Sequence, residues 1–101
     1  MKKILIVEDE LDLRQAMRAV LEGAGYEVIE AADGTEGLDA AISHHPDLIM
    51  VDINMPDLNG HEMMAKIRQD DWGKSAKAIY LTAYSDAENV VEAVTVSYTH
   101  L

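Results

Sequence analysis

LIMVDINMPDLNG, residues 48–60, decides the fold. Leu48, Ile49, Met50 and Val51 form one uninterrupted apolar run, the pattern of a strand buried on both faces. Asp52 follows directly, then Met55-Pro56 and, closing the stretch, Gly60. Carboxylates are among the side chains least often buried without a partner. An acid at the end of a core strand therefore needs a reason.

Working outward, Ile4–Val7 and Ala78–Leu81 are further apolar strand candidates. Tyr26–Glu30 is a weaker one, with charged alternates that suit a sheet edge. Helical patterns fill the intervals. Leu13, Met17, Val20, Leu21 and Ala24 recur at helical spacing, with Asp9 placed to cap the start and Gly23 and Gly25 to end it. Asp33-Gly34-Thr35 opens a second helix carrying Leu38, Ala41 and Ile42, which closes at His44-His45-Pro46. A third starts near Gly60 and uses Met63, Met64 and Ile67. A fourth starts at Asp86, with Ala87, Val90, Val91 and Val94 on one face. Strand and helix alternate throughout, which predicts an α/β fold: a doubly wound parallel sheet with helices on both faces.

Composition narrows the function. A chain of 101 residues, 49% apolar, suits one small domain with its own core. It carries 19 acidic against 8 basic residues, a formal charge of −11, which argues against a nucleic-acid footprint or an anionic membrane surface. Cations and basic partner patches remain compatible. Cysteine is absent, which removes disulfides, thiolate metal sites and a thiol nucleophile. Lys2-Lys3 and the apolar run after it stop at Glu8, too short for a signal peptide. A cytoplasmic domain without a membrane segment is expected.

In a parallel sheet every strand ends on the same edge, where ligands of open α/β sheets bind. Glu8 and Asp9 follow the first strand, Asp52 the third and Thr82 the fourth. Each has a plain structural explanation: a helix cap for Asp9, a solvated loop acid for Glu8, a turn for Asp52, a strand residue for Thr82. With the strand order 2-1-3-4, which is one of the common orders of such sheets and is not read from these residues, the three acids converge. Converging carboxylates repel, so either one pKa rises or a cation relieves them. Mg²⁺, bound by carboxylates, a carbonyl and waters, suits such a cluster and suggests phosphoryl chemistry. Asp52 is then the candidate nucleophile, and the Thr82 hydroxyl a candidate partner for a phosphoryl oxygen.

At these residues the chain resembles the response-regulator receiver domains of two-component signalling. The matching pieces are ILIVEDE at 4–10, LIMVDINMPDLNGHEM at 48–63 and IYLTAYSD at 79–86. The resemblance covers about residues 2–93 and implies a flavodoxin-like fold. It implies that Asp52 is the phosphoacceptor, and that Mg²⁺ is bound by Asp9, by Glu8 through water, by Asp52 and by the backbone carbonyl of Asn54. It further implies that Thr82 is the switch hydroxyl, with Ala83 leaving room for its movement. The implied donor is a phosphohistidine on a sensor histidine kinase or a His phosphotransfer domain.

The family pattern continues with a fifth strand, a Lys-Pro pair and a final helix, which have no counterpart here. Lys74 and Lys77 lie before the fourth strand, and Tyr98 is not at the spacing of the switch aromatic. Residues 1–93 are expected to form the receiver unit, and 94–101 a tail foreign to it. An exposed fourth strand, an uncovered sheet face, reduced stability and impaired switching are the expected consequences.

Rival readings fit less well. A haloacid-dehalogenase-type phosphatase wants a second Asp two residues after the nucleophile, where this chain has Asn54. A nucleotide or flavin module wants a phosphate-cradling loop after the first strand, where Glu8-Asp9-Glu10 would repel phosphate. A vestigial receiver acting only through protein interaction is the third alternative. His44-His45 reads as a helix end, Met50, Met55, Met63 and Met64 as packing, and Trp72 likewise.

Overall fold

Each predicted strand up to residue 81 forms, and the helices between them wind it into one parallel sheet. The structure, a computed structural model, describes residues 2–53, 55 and 58–81. β1 is Lys3–Val7, α1 Leu11–Gly23, β2 Glu27–Ala31, α2 Gly34–His44, β3 Leu48–Asp52, α3 Gly60–Ile67 and β4 Ala78–Leu81, with a short 3₁₀ turn at Gly73–Ser75. The strand order is β2-β1-β3-β4, and every neighbouring pair is parallel. This is the doubly wound, flavodoxin-like α/β arrangement. The fourth helix predicted from Asp86 and the tail 94–101 lie outside the described residues.

Strand periodicity sorts the core onto two faces. Leu5, Val7, Ile49 and Val51 point to the side covered by α2 and α3, where Ala41, Met63, Met64 and Ile67 meet them. Ile4, Ile6, Leu48, Met50, Ile79 and Leu81 point to the α1 side, with Met17, Leu13 and Leu21. Leu5, Ile6, Ile49, Met63 and Ile67 are wholly buried. Burial of side chains this size contributes roughly 1.5–3 kcal/mol each. Met50, Met55, Met63 and Met64 are all core residues, as expected.

Local signals set most element ends. The Asp33 side chain accepts from Glu36 N at 2.8 Å and caps α2; Asn59 does the same for α3, from Glu62 N at 2.9 Å. His45, left-handed at φ 47°, closes α2 ahead of Pro46. Gly25, at φ 94°, turns the chain after α1.

Three local expectations are corrected. Asp9 is not the cap of α1: that position is Glu10, extended and without a side-chain cap bond. The chain leaves β1 with one more extended residue because the Glu8 carboxylate already takes the Glu10 N–H, at 3.0 Å. Val20 does not join the buried stripe and is 73% exposed. α1 meets the sheet through Leu13, Met17 and Leu21 instead. Ile42 is also exposed, because α2 turns Gly34, Gly37 and Ala41 to the core instead. A Cβ on Gly37 would sit 2.7 Å from Met63 Sδ and 2.8 Å from Val7 Cγ2, so close helix–sheet approach, not apolar bulk, selects that face.

Candidate metal centre

The sheet register builds the site. Val7 of β1 is the Cα partner of Val51 in β3, so the residues just beyond, Glu8 and Asp52, emerge side by side at the same sheet edge. Asp9 follows in the β1–α1 turn. Glu8, Asp9 and Asp52 each offer a carboxylate oxygen, and these oxygens lie within 4.8 Å of one another. The convergence expected from the sequence is therefore present.

Glu8 is not a solvated loop acid, since it is only 3% exposed. Its N–H donates to Ala31 O at 3.1 Å, which ties it to β2. Its carboxyl is pushed up to about 7, first by burial, then by the charge of Asp52 and by a hydrogen bond with and the charge of Asp9; the Glu10 N–H acts the other way. Asp52 is half-buried at the end of β3 and Asp9 is exposed. The cluster thus has one acid held near its neutral form among two others. A buried carboxyl and two neighbouring carboxylates give an all-oxygen, anionic donor set, which fits a hard divalent cation such as Mg²⁺ and does not fit a soft one.

Of the segment after β3, the described residues Met55, Leu58 and Gly60 are closely packed. Met55 is buried. Leu58 packs so tightly on Gly34, at the start of α2, that a Cβ there would overlap its backbone. A Cβ on Gly60 would lie 2.8 Å from Asp52 O and 3.0 Å from Ile53 Cα. Gly60→Ala is therefore expected to push the start of α3 off the end of β3, destabilising by about 1–3 kcal/mol. A denaturant melt would measure the stability, and a shifted Asp52 amide resonance would locate the strain.

Asn54 and Thr82, two sequence-predicted site residues, lie outside the described residues, as do Ala83 and Tyr98. Leu81, next to Thr82 in the chain, is the Cα partner of Asp52. Lys74 and Lys77 precede β4, at the opposite end of the sheet from Asp52, and Lys74 pairs with Asp71 at 3.1 Å. His45, at the end of α2, stacks on Trp72 with centroids 4.6 Å apart, which supports the packing reading of Trp72.

One residue near the site escaped the sequence reading. Arg14 of α1 donates from Nη1 to Glu8 O at 2.7 Å and pairs through Nε with Glu30 of β2 at 3.2 Å. Its position one turn past Glu10 was visible, but its partners are brought together only by the fold.

The comparisons with known proteins agree with this architecture. The family profile described as "Response regulator receiver domain" matches residues 4–100. The response regulator ArlR of Staphylococcus aureus is 43% identical over 91 residues, which cover 90% of this chain and 40% of that protein. The chain thus spans well under half the length of this relative. Among solved structures, the response regulator TrrA of Thermotoga maritima in complex with Mg²⁺–BeF superposes with TM-score 0.76 at 42% identity, over 84% of this chain and 72% of that one. TrrA bound to the histidine kinase ThkA gives TM-score 0.75. The chemotaxis response regulator CheY4 of Vibrio cholerae gives 0.79 at 34% identity, over 96% of this chain and 80% of that one. No helix among the described residues is long and apolar enough to cross a membrane.

Proposed function

This chain belongs to the response regulator receiver domain family of two-component signalling, and on that premise we propose that Asp52 takes a phosphoryl group from a phosphohistidine. The observation that carries the proposal is the convergence of Glu8, Asp9 and Asp52 within 4.8 Å at the carboxyl edge of the sheet.

In the proposed step an Asp52 carboxylate oxygen attacks the phosphorus atom. The new O–P bond forms as the P–N bond of the phosphohistidine breaks, and the imidazole leaves with the electron pair and then takes up a proton. The product is an acyl phosphate on Asp52. Bound Mg²⁺ would supply neutralisation of the charge on the phosphoryl oxygens. Asp9 and Asp52 would hold it directly and Glu8 through water, with the Asn54 carbonyl as a further ligand. Thr82 would then hydrogen-bond a phosphoryl oxygen as the switch hydroxyl. β3, buried on both faces, serves this chemistry by holding the Asp52 backbone rigidly.

The domain that acts in this way is proposed over residues 1–93. It is regulatory rather than an enzyme with turnover. The partner is proposed to be a sensor histidine kinase or a His phosphotransfer domain in the cytoplasm, a reading supported by the complex of TrrA with a histidine kinase. Direct contact with nucleic acid is not part of the proposal, given the charge of −11.

A thermal melt followed by circular dichroism, with and without Mg²⁺, tests the site. A ligand that binds only the folded state stabilises it by about 2.7 kcal/mol at a hundredfold excess over Kd. A melting temperature raised by Mg²⁺ in the wild type and unmoved in Asp9→Asn supports the reading. A cooperative melt indifferent to Mg²⁺ would overturn it.

A further inference from the structure

Arg14 stands where three elements meet. It sits on α1, and its side chain is only 14% exposed. Nη1 donates to the backbone carbonyl of Glu8, the last residue before the turn, at 2.7 Å. Nε donates to Glu30 Oε1 on β2 at 3.2 Å. The other Glu30 oxygen accepts from Arg18, which also pairs with Glu22 at 3.2 Å. These two bonds of Arg14 therefore go to a carbonyl and to Glu30.

The held carbonyl belongs to the peptide between Glu8 and Asp9. A trans peptide is planar, with its C=O and N–H on opposite sides. Fixing one therefore fixes the other, along with the direction in which the Asp9 Cα departs. Glu8 is already tied by its own N–H to Ala31 O, and by its carboxylate to Glu10 N. The Glu10 contact spans the Glu8–Asp9 peptide and limits its rotation, but neither contact holds its carbonyl. The Arg14 fork does, because Glu30 holds the planar guanidinium while Nη1 reaches the carbonyl.

We propose that Arg14, held by Glu30, is a positioning residue for the cation site, fixing the Glu8–Asp9 peptide so that the Asp9 carboxylate stays aimed beside Asp52. The inference rests on the reading of these three acids as cation ligands. Groups that orient metal ligands typically change metal affinity by about 10- to 100-fold when removed.

Calorimetric Mg²⁺ titration of the folded chain tests it, in the wild type, Arg14→Met, Glu30→Gln and Arg18→Met. Asp9 and Glu10 amide resonances are recorded without metal. Arg14→Met is expected to weaken Mg²⁺ binding by about tenfold or more and to shift the Asp9 amide. Glu30→Gln moves both in the same direction by less. Arg18→Met, which breaks ion pairs without touching Glu8, leaves both as in the wild type. A purely structural role would lower stability while leaving the Mg²⁺ affinity of the folded protein unchanged, so wild-type affinity in folded Arg14→Met overturns the proposal. An equal loss in Arg18→Met does the same. If Arg14→Met does not fold, Glu30→Gln decides, and wild-type affinity there is the negative result. If the wild type itself binds no Mg²⁺, the site reading fails. The Asp9 amide then decides whether Arg14 orients the turn, with an unshifted resonance in Arg14→Met as the overturning result.

Discussion

Asp52→Asn is expected to reduce phosphoryl uptake to background when the chain is incubated with Mg²⁺ and phosphoramidate. The substitution keeps size and shape, so β3 and its pairing with Leu81 are retained. What it removes is the proposed nucleophile: a neutral amide oxygen cannot form the acyl phosphate that a carboxylate can. It also removes one of the three acids, so Mg²⁺ binding weakens. Intact-mass spectrometry reads the transfer as the gain of one phosphoryl group, reversed by hydroxylamine in the wild type. An undiminished gain in Asp52→Asn would place the phosphoryl group on another residue and sink the assignment.

The second large effect is a stability that rises on acidification when no divalent cation is present. Glu8 has a folded-state pKa of about 7, against an unfolded value of 4.5. Between those values the folded chain holds a proton that the unfolded chain has lost. Stability therefore falls as pH rises from 4.5 to about 7 and then levels off. A shift of this size corresponds to a penalty on the order of 3 kcal/mol for ionised Glu8, absent below the window and complete above it. Urea melts in EDTA at pH 5 and pH 7.5 measure it, with the more acidic sample expected to be the more stable. Glu8→Gln should flatten the profile, because the amide needs no proton. Saturating Mg²⁺ should raise the neutral-pH stability most, since it favours the ionised acids. A metal-free chain equally stable at both pH values would contradict the buried, neutral state of Glu8.

Linear pattern and tertiary structure contribute differently to this protein. The continuous runs 4–7, 48–51 and 78–81 read as strands, although Tyr80 in the last is exposed, and their alternation with helical stripes pointed to a doubly wound sheet. Asp52, Glu8 and Asp9 were legible at one sheet edge for the same reason, because parallel strands end on one edge; that they meet depends on β1 lying beside β3, which the residues alone do not give. Helix ends were legible where a chemical signal is local, as at Asp33 and His45.

Other features depend on contacts between distant segments, and no local pattern encodes those. The inward face of α2 is made of Gly34, Gly37 and Ala41 because Val7, Leu58 and Met63 leave no room for larger side chains. Apolar periodicity pointed to Leu38, Ala41 and Ile42, of which Ala41 is fully buried and Ile42 exposed. Asp9 reads as a helix cap in sequence, but the Glu8 carboxylate takes the Glu10 N–H and the helix starts later. The bond from the Glu8 N–H to Ala31 O requires β2 to lie beside β1, and the burial that raises the Glu8 pKa requires the folded chain around it. The Arg14 bridge joins residues 8, 14 and 30 across three elements. The sequence by itself thus determined which strands form and which acids lie at their shared edge. Only the tertiary structure decided how those acids are buried, protonated and held, because burial and hydrogen bonding are properties of neighbours in space.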